Sequence, residues 1–198
     1  MQKALIIVDI QNDFLPGGSL AVPSGNEVIA WINEIQPRYD LVAATQDWHP
    51  PGHVSFASSH EDKEPFDKIE VHGHPQVLWP EHCVQGTPGA EFPAELDLQQ
   101  VAAIFRKGMD PEVDSYSGFF DLGRRQSTGL ADWLKGMEID EVHICGLAAE
   151  ICVAYTARDA AEQGFATAVL ERGTRSIDQK DYEQGKADLE EAGIQFFS

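Results

Sequence analysis

Asp9, Lys107 and Cys152 stand far apart in the chain and offer an acid, a cation and a thiol. A thiol becomes a nucleophile when its proton is removed. A carboxylate can remove it, and a nearby cation favours the thiolate. The apolar run KALIIV leads into Asp9, VAAIFR leads into Lys107, and DEVHICG lies a few residues ahead of Cys152. Short apolar runs of this kind read as strands buried on both faces, and open parallel α/β sheets collect their chemistry at the carboxyl ends of such strands. The three groups are therefore expected on one edge of a sheet. Cys152 is expected where the chain enters a helix, a setting that lowers a thiol pKa. Cys145, inside a strand, reads as core, and Cys83 as a loop residue beside His82.

A second constellation follows the next strand. Asp47 and His49 in QDWHPPGH are two residues apart, so in extended backbone their side chains share a face and can ligate one divalent metal. A third ligand has to come from elsewhere. His82 in WPEHC is the first candidate, with His53, His60, His72 and His74 in reserve. Two imidazoles and a carboxylate suit zinc, iron or manganese, and the residues alone do not separate these.

The elements that must position these groups alternate along the chain. Strand-like segments fall at about 3–9, 40–46, 101–107, 140–146, 165–170 and 194–197, with helical patterns between most of them. The alternation predicts an α/β fold with a six-stranded, mostly parallel sheet. Val28, Ile29, Ile32 and Ile35 make the apolar face of a first helix. Ser127 and Thr128 cap a second. A third starts near Glu150 and stops at Gly164, and KDYEQGKADLEEAG forms a fourth. The span from about 48 to 100 shows no sustained period, yet it is rich in Trp, Phe and His. A loop so long inside a compact domain is usually functional, and it reads as a lid that carries metal ligands.

The length of 198 residues fits one domain, residues 1–198. Fourteen basic against 33 acidic residues give a formal charge of −19. That surface repels nucleic-acid phosphates and anionic headgroups, so neither nucleic acid nor membrane is an expected partner. Met1 opens directly into a strand-like run and no apolar stretch reaches about 18 residues, which predicts a soluble, cytoplasmic protein. Three cysteines, an odd number, argue against a disulfide framework.

The strings VDIQNDFLPGGSLAVP, TQDWHPPGHVSFA, LWPEHCVQGTPGAEF, FRKGMDPEVDSYSGFF and GLAAEICV together resemble the nicotinamidases, also called pyrazinamidases, of the isochorismatase-like cysteine hydrolase superfamily. The first and last strings are general to that superfamily. DWHPPGH, WPEHC and KGMDPEVDSYSGF are narrower. The resemblance implies a three-layer, Rossmann-like α/β/α fold and a metal-dependent amidohydrolase that converts nicotinamide to nicotinate and ammonia in NAD salvage, with pyrazinamide also accepted. It implies Cys152 as nucleophile, Asp9 as base and later acid, and Lys107 as their electrostatic partner. It also implies Asp47, His49 and His82 as ligands of one divalent ion, zinc ahead of iron or manganese, and no organic cofactor. Phe14, Trp79 and Tyr116 match residues around the substrate ring, and the backbone N–H groups of Ala148 and Cys152 match an oxyanion hole, with a cis peptide before Ala148. Homo-oligomer formation is left open.

One segment departs from the family pattern. Where G-x-A-T-D, an aromatic residue or histidine, and then Cys-Val are usual, this chain has Ala149, Glu150 and Ile151 between Ala148 and Cys152. Loss of a Thr hydroxyl at 149 removes a hydrogen bond typically worth about 1 kcal/mol. Altered rate or ring preference is the expected result. Two other readings take this departure as their motive. One is an isochorismatase-like hydrolase of a carbamoyl amide or vinyl ether, which predicts no stoichiometric metal. The other is a non-catalytic binding protein, which predicts an unreactive Cys152.

Overall fold

The apolar runs form a sheet of six strands, and every pairing in it is parallel. The computed structural model describes residues 1–198. In chain order the elements are β1 (Gln2–Val8), α1 (Val28–Ile35), β2 (Leu41–Asp47), β3 (Lys68–Val71), β4 (His74–Val77), β5 (Ala103–Lys107), α2 (Leu130–Gly136), β6 (Ile139–Gly146), α3 (Ala154–Glu162), β7 (Ala166–Thr174), α4 (Gln179–Glu191) and β8 (Gln195–Phe197). The sheet order is β5-β2-β1-β6-β7-β8. The chain builds outward from β1 through β2 to β5, then returns to the other side of β1 and continues through β6, β7 and β8. The reversal leaves a crevice between the carboxyl ends of β1 and β6, the place where open α/β sheets bind ligands.

Alternation along β1 shows how the layers form. Leu5 and Ile7 pack with Val28, Ile29, Ile32 and Ile35 of α1 and with Trp79, Cys83 and Leu96 from the long connection after β2. Ala4, Ile6 and Val8 point the other way, onto Leu130 and Leu134 of α2, Ala157 and Ala160 of α3 and Leu189 of α4. Both faces of β1 are thus covered, as its unbroken apolar run requires. No helix is long and apolar enough to cross a membrane.

Two local expectations are corrected. The 48–100 span is not wholly without regular structure, because Lys68–Val71 and His74–Val77 pair as an antiparallel hairpin. The third helix does not start near Glu150. A wide, π-type turn occupies Ala149–Val153, and regular α3 begins only at Ala154. Cys152 therefore lies inside that turn, not in the first turn of an α-helix. The second helix starts at Leu130, after Gly129 in a left-handed conformation, and the Thr128 hydroxyl accepts the Leu130 N–H at 3.2 Å.

Candidate active site

The carboxyl ends of four adjacent strands deliver the predicted groups to one place. Asp9 follows β1 directly and turns the chain through a left-handed conformation, φ 48°. Asp47 ends β2 and Lys107 ends β5, and the two are register partners. Cys152 comes from the turn after β6. Gly146, at the end of β6, has φ 123°, and a Cβ there would lie 2.0 Å from the Val8 carbonyl oxygen. Only glycine lets β6 run this close to β1, which brings the Cys152 turn alongside Asp9.

Lys107 is the hub. Its Nζ lies 3.0 Å from Asp9 Oδ2, 3.0 Å from Asp47 Oδ1 and 3.5 Å from Cys152 Sγ, and it donates to the Ser115 carbonyl at 2.9 Å. Lys107 pairs with Asp9 Oδ2 as an ion pair, and a carboxylate oxygen with one such partner has a second lone pair free to take a proton. Thr45 Oγ1 donates to Asp9 Oδ1 at 2.6 Å and fixes the carboxylate plane. Burial opposes charge on Lys107, yet the two carboxylates hold its pKa well above the usual lysine range. Burial raises the Asp9 pKa against the pull of Lys107. Asp47 is pushed the other way, its burial outweighed by His49 and Lys107, and stays well below the usual carboxylate range. Two carboxylates on one lysine are therefore set apart in role. Asp9 can take a proton, and Asp47 remains an anion.

The state of Cys152 differs from the sequence expectation. Burial pushes its thiol well above the ordinary range, Lys107 pulling it down only in part. The neutral thiol is therefore the favoured form, and Lys107 Nζ, which contacts both groups, places it close to Asp9. It needs a base, and the geometry supplies one.

Asp47, His49 and His82 bring one donor atom each to within 4.8 Å of one another. His49 Nδ1 donates to the Gly108 carbonyl at 3.0 Å, and His82 Nδ1 donates to the Pro80 carbonyl at 2.8 Å, because a carbonyl can only accept. In the neutral rings both Nε2 atoms then carry lone pairs, and they face Asp47 Oδ2 at 3.0 and 3.4 Å. Three lone-pair donors aimed at one another require a cation between them or protons on the rings. This donor set fits a divalent metal, with the second ring nitrogen of each histidine tied to the backbone as metal-site imidazoles usually are. Of the reserve histidines, His53 packs its ring 4.3 Å from that of His49, and its buried Nε2 has no partner. His60 bonds the Val54 carbonyl, His72 lies in the hairpin turn and His74 opens β4, all outside the cluster.

A narrow cleft joins the two groups. Phe14, Trp79, Tyr116, Ala148, Cys152, Asp47 and His82 line it, together with four residues the sequence reading did not single out for it: Leu20, Asp114, Ile151 and Ile177. Gln11 and Gln76 were also missed as supports. The Gln11 amide grips the backbone of Asp47 through both its oxygen and its nitrogen, at 2.8 Å each. Gln76 in β4 donates to Asp114 at 2.9 Å and to Tyr116 Oη at 3.0 Å, which ties the hairpin to the cleft. Its position in an HPQV segment with no clear period gave no signal of this. The peptide before Ala148 is cis, and the Ala148 N–H makes no backbone hydrogen bond. A wider, open groove of about 750 Å³ beside Asn12, Asp13 and Asn33 holds neither a thiol nor a buried cation, so the chemistry sits at the smaller cleft.

Comparison with known proteins agrees with this geometry. A family model described as the isochorismatase domain matches residues 3–197. The chain is 49% identical over 175 residues to the nicotinamidase of Acinetobacter baylyi, covering 88% of this chain and 82% of that one. Among solved structures it resembles a nicotinamidase/pyrazinamidase of Acinetobacter baumanii, with a TM-score of 0.97 and 42% identity over 100% of this chain and 96% of that one. It also resembles the pyrazinamidase of Pyrococcus horikoshii in complex with zinc, with a TM-score of 0.82 and 38% identity over 100% and 99% of the two chains. This chain therefore belongs to the nicotinamidase/pyrazinamidase family of isochorismatase-domain hydrolases.

Proposed function

We propose that the protein hydrolyses nicotinamide to nicotinate and ammonia, with Cys152 as nucleophile, Asp9 as proton carrier and Lys107 as their electrostatic partner. We further propose that pyrazinamide is accepted, that the reaction serves NAD salvage in the cytoplasm, and that residues 1–198 act as one hydrolase domain. The observation that carries the reading is the position of Lys107 Nζ, which joins the thiol, the raised carboxyl of Asp9 and the metal-type donor set in one buried cluster.

In this account the substrate ring lies between Phe14, Trp79 and Tyr116, with its carboxamide carbon toward Cys152 Sγ. Asp9 takes the thiol proton through its free Oδ2 lone pair. Lys107 meanwhile holds the sulfur charge as the thiolate adds to the carbonyl carbon. The Ala148 and Cys152 N–H groups receive the negative oxygen. Asp9 then returns its proton to the departing nitrogen, leaving a thioester on Cys152 and releasing ammonia. The same carboxylate next takes a proton from water, whose oxygen attacks the thioester. Nicotinate leaves and the thiol is restored. Asp47, His49 and His82 would hold a divalent metal, zinc in the first instance, and that ion supplies an electrophilic site for the ring nitrogen. Trp79, Tyr116 and Gln76 form one hydrogen-bonded group and keep the aromatic wall fixed while the ring is held.

Cys152→Ala tests the nucleophile. It removes only a sulfur from a buried site, so the variant should fold as the parent does and show no turnover of nicotinamide. Near-normal release of ammonia by that variant would remove Cys152 from the mechanism.

A further inference from the structure

The turn that carries the nucleophile also fixes a wall of the cleft that lies outside every helix and strand. Ile177 lines the cleft beside Ile151, Ala148 and Cys152 and belongs to the segment between β7 and α4. Its position depends on what grips that segment. Glu150 Oε1 accepts the Ile177 N–H at 2.8 Å and the Asp178 N–H at 2.7 Å, and the Ala149 N–H donates to the Arg175 carbonyl at 2.9 Å. Asp178 in turn caps α4, accepting the Lys180 and Asp181 N–H groups at 2.8 and 3.1 Å. Ile177 is thus held between a carboxylate clamp on one side and a helix cap on the other. Glu150 Oε2 is buried with no partner, and burial raises the pKa of this group.

Space in the cleft is scarce. The cavity is about 20 Å³, room for about one water molecule, so a bound ring has no slack between itself and the lining. Any further group on the ring has to be taken up by the same lining, to which Ile177 belongs.

We infer that Ile177 is a specificity-determining residue that restricts the enzyme to heteroaromatic carboxamides without bulky ring substituents, and that Glu150 is the positioning residue that holds Ile177 against the cleft. This inference rests on the nicotinamide reading above. It goes beyond that reading by assigning the limit on ring substitution to one side chain and its clamp. Replacement of Ile177 with Ala removes three carbons from the wall. A pocket discriminates a single methylene by roughly 10- to 200-fold, so the opened wall should admit a ring methyl group that the parent rejects.

The test measures kcat/KM for nicotinamide and for its 2-, 4-, 5- and 6-methyl derivatives in the parent, Ile177→Val, Ile177→Ala, Glu150→Ala and Glu150→Gln enzymes. Each ratio of methylated to plain substrate is taken within one enzyme, so a partly folded variant does not distort it. The expected result is a gain of about 10-fold or more in that ratio for at least one isomer in Ile177→Ala, with a smaller gain for the same isomer in Ile177→Val. Glu150→Ala frees the segment and should favour that isomer too. Glu150→Gln still offers an oxygen to both N–H groups and should keep the parent ratio. Unmoved ratios in both Ile177 variants would overturn the inference while the nicotinamide reading stands. A shifted ratio in Ile177→Ala with an unmoved one in Glu150→Ala would overturn the role of Glu150. No turnover of nicotinamide by the parent would overturn this inference and the reading beneath it together.

Discussion

Lys107 faces two buried carboxylates at 3.0 Å each, and the consequences of removing either partner differ. Asp9→Asn keeps the shape of the side chain and its contact with Thr45 but cannot accept a proton. Loss of a general acid–base group typically lowers the rate by 10²- to 10⁴-fold. Steady-state kinetics should show a fall in kcat of about that size with a smaller change in KM. A kcat within a factor of a few of the parent would rule out Asp9 as the proton carrier. Lys107→Met, in contrast, leaves Asp9 and Asp47 buried without their cation. Breaking a buried pair in this way costs roughly 3–5 kcal/mol, so urea unfolding should show a large loss of stability alongside the loss of activity. At this scale much was legible in the sequence. A buried Asp or an Asp-x-His pair at the end of an apolar run has few structural reasons to be there, whereas a Lys alone would read as a strand end reaching solvent, and Asp9, Lys107, Asp47 and His49 meet in one buried cluster. The state of Cys152 was not legible. The exit from a strand just before it suggested an ordinary helix start, whereas the π-type turn buries the sulfur and burial raises its pKa.

Elements are tied together by contacts that sequence period does not reveal. The β1–β6 crossing depends on Gly146, and an added Cβ would sit 2.0 Å from Val8 O. Gly146→Ala should therefore force the two strands apart where Asp9 and the Cys152 turn leave them. Such a variant should lose about 3 kcal/mol or more of stability and most of its activity, as read from its melting curve and turnover. Parent-like behaviour would mean that the crossing tolerates a wider spacing. On the far side of the sheet, Glu171 in β7 accepts from Lys186 of α4 at 2.6 Å and from Tyr182 at 3.0 Å. The Lys186 hydrogen bond outweighs burial and holds the Glu171 carboxyl below the usual range. A depressed carboxyl contributes stability that is present above the unfolded pKa, about 4.3, and lost as pH falls through the lower folded value. Glu171→Gln should thus melt a few degrees below the parent at pH 7, and the gap should close as pH falls below about 4. A gap that persisted unchanged into acid would assign the effect to packing instead. The strands and α1 were readable because apolar runs and the Val28, Ile29, Ile32 and Ile35 stripe encode burial directly. The β3–β4 hairpin was not, since its strands are only four residues each and HPQV puts a buried glutamine where an apolar residue would mark the covered face. Gln76, which links that hairpin to Tyr116, was hidden for the same reason.

For the molecule as a whole, the alternation of strands and helices was enough to indicate a six-stranded, mostly parallel sheet, which is parallel throughout, and the switch between β1 and β6 follows from the order in which the strands are laid down. Resemblance added what alternation does not carry: it singled out His82 from the reserve histidines, and it grouped Phe14, Trp79 and Tyr116, which come from three separate connections and line one cleft. The formal charge of −19 surrounds a buried cluster with Lys107 on one side and the three lone pairs of Asp47, His49 and His82 on the other, and the proposed reaction places a cation at each. Ammonia and nicotinate release from nicotinamide, followed with the protein as purified, after chelation, and after restoring zinc, iron or manganese, tests this most directly. The account predicts stoichiometric production of both products, loss of turnover on chelation, and recovery with at least one of the metals. A folded protein with free Cys152 and no turnover under any of these conditions, or turnover indifferent to chelation, would contradict it.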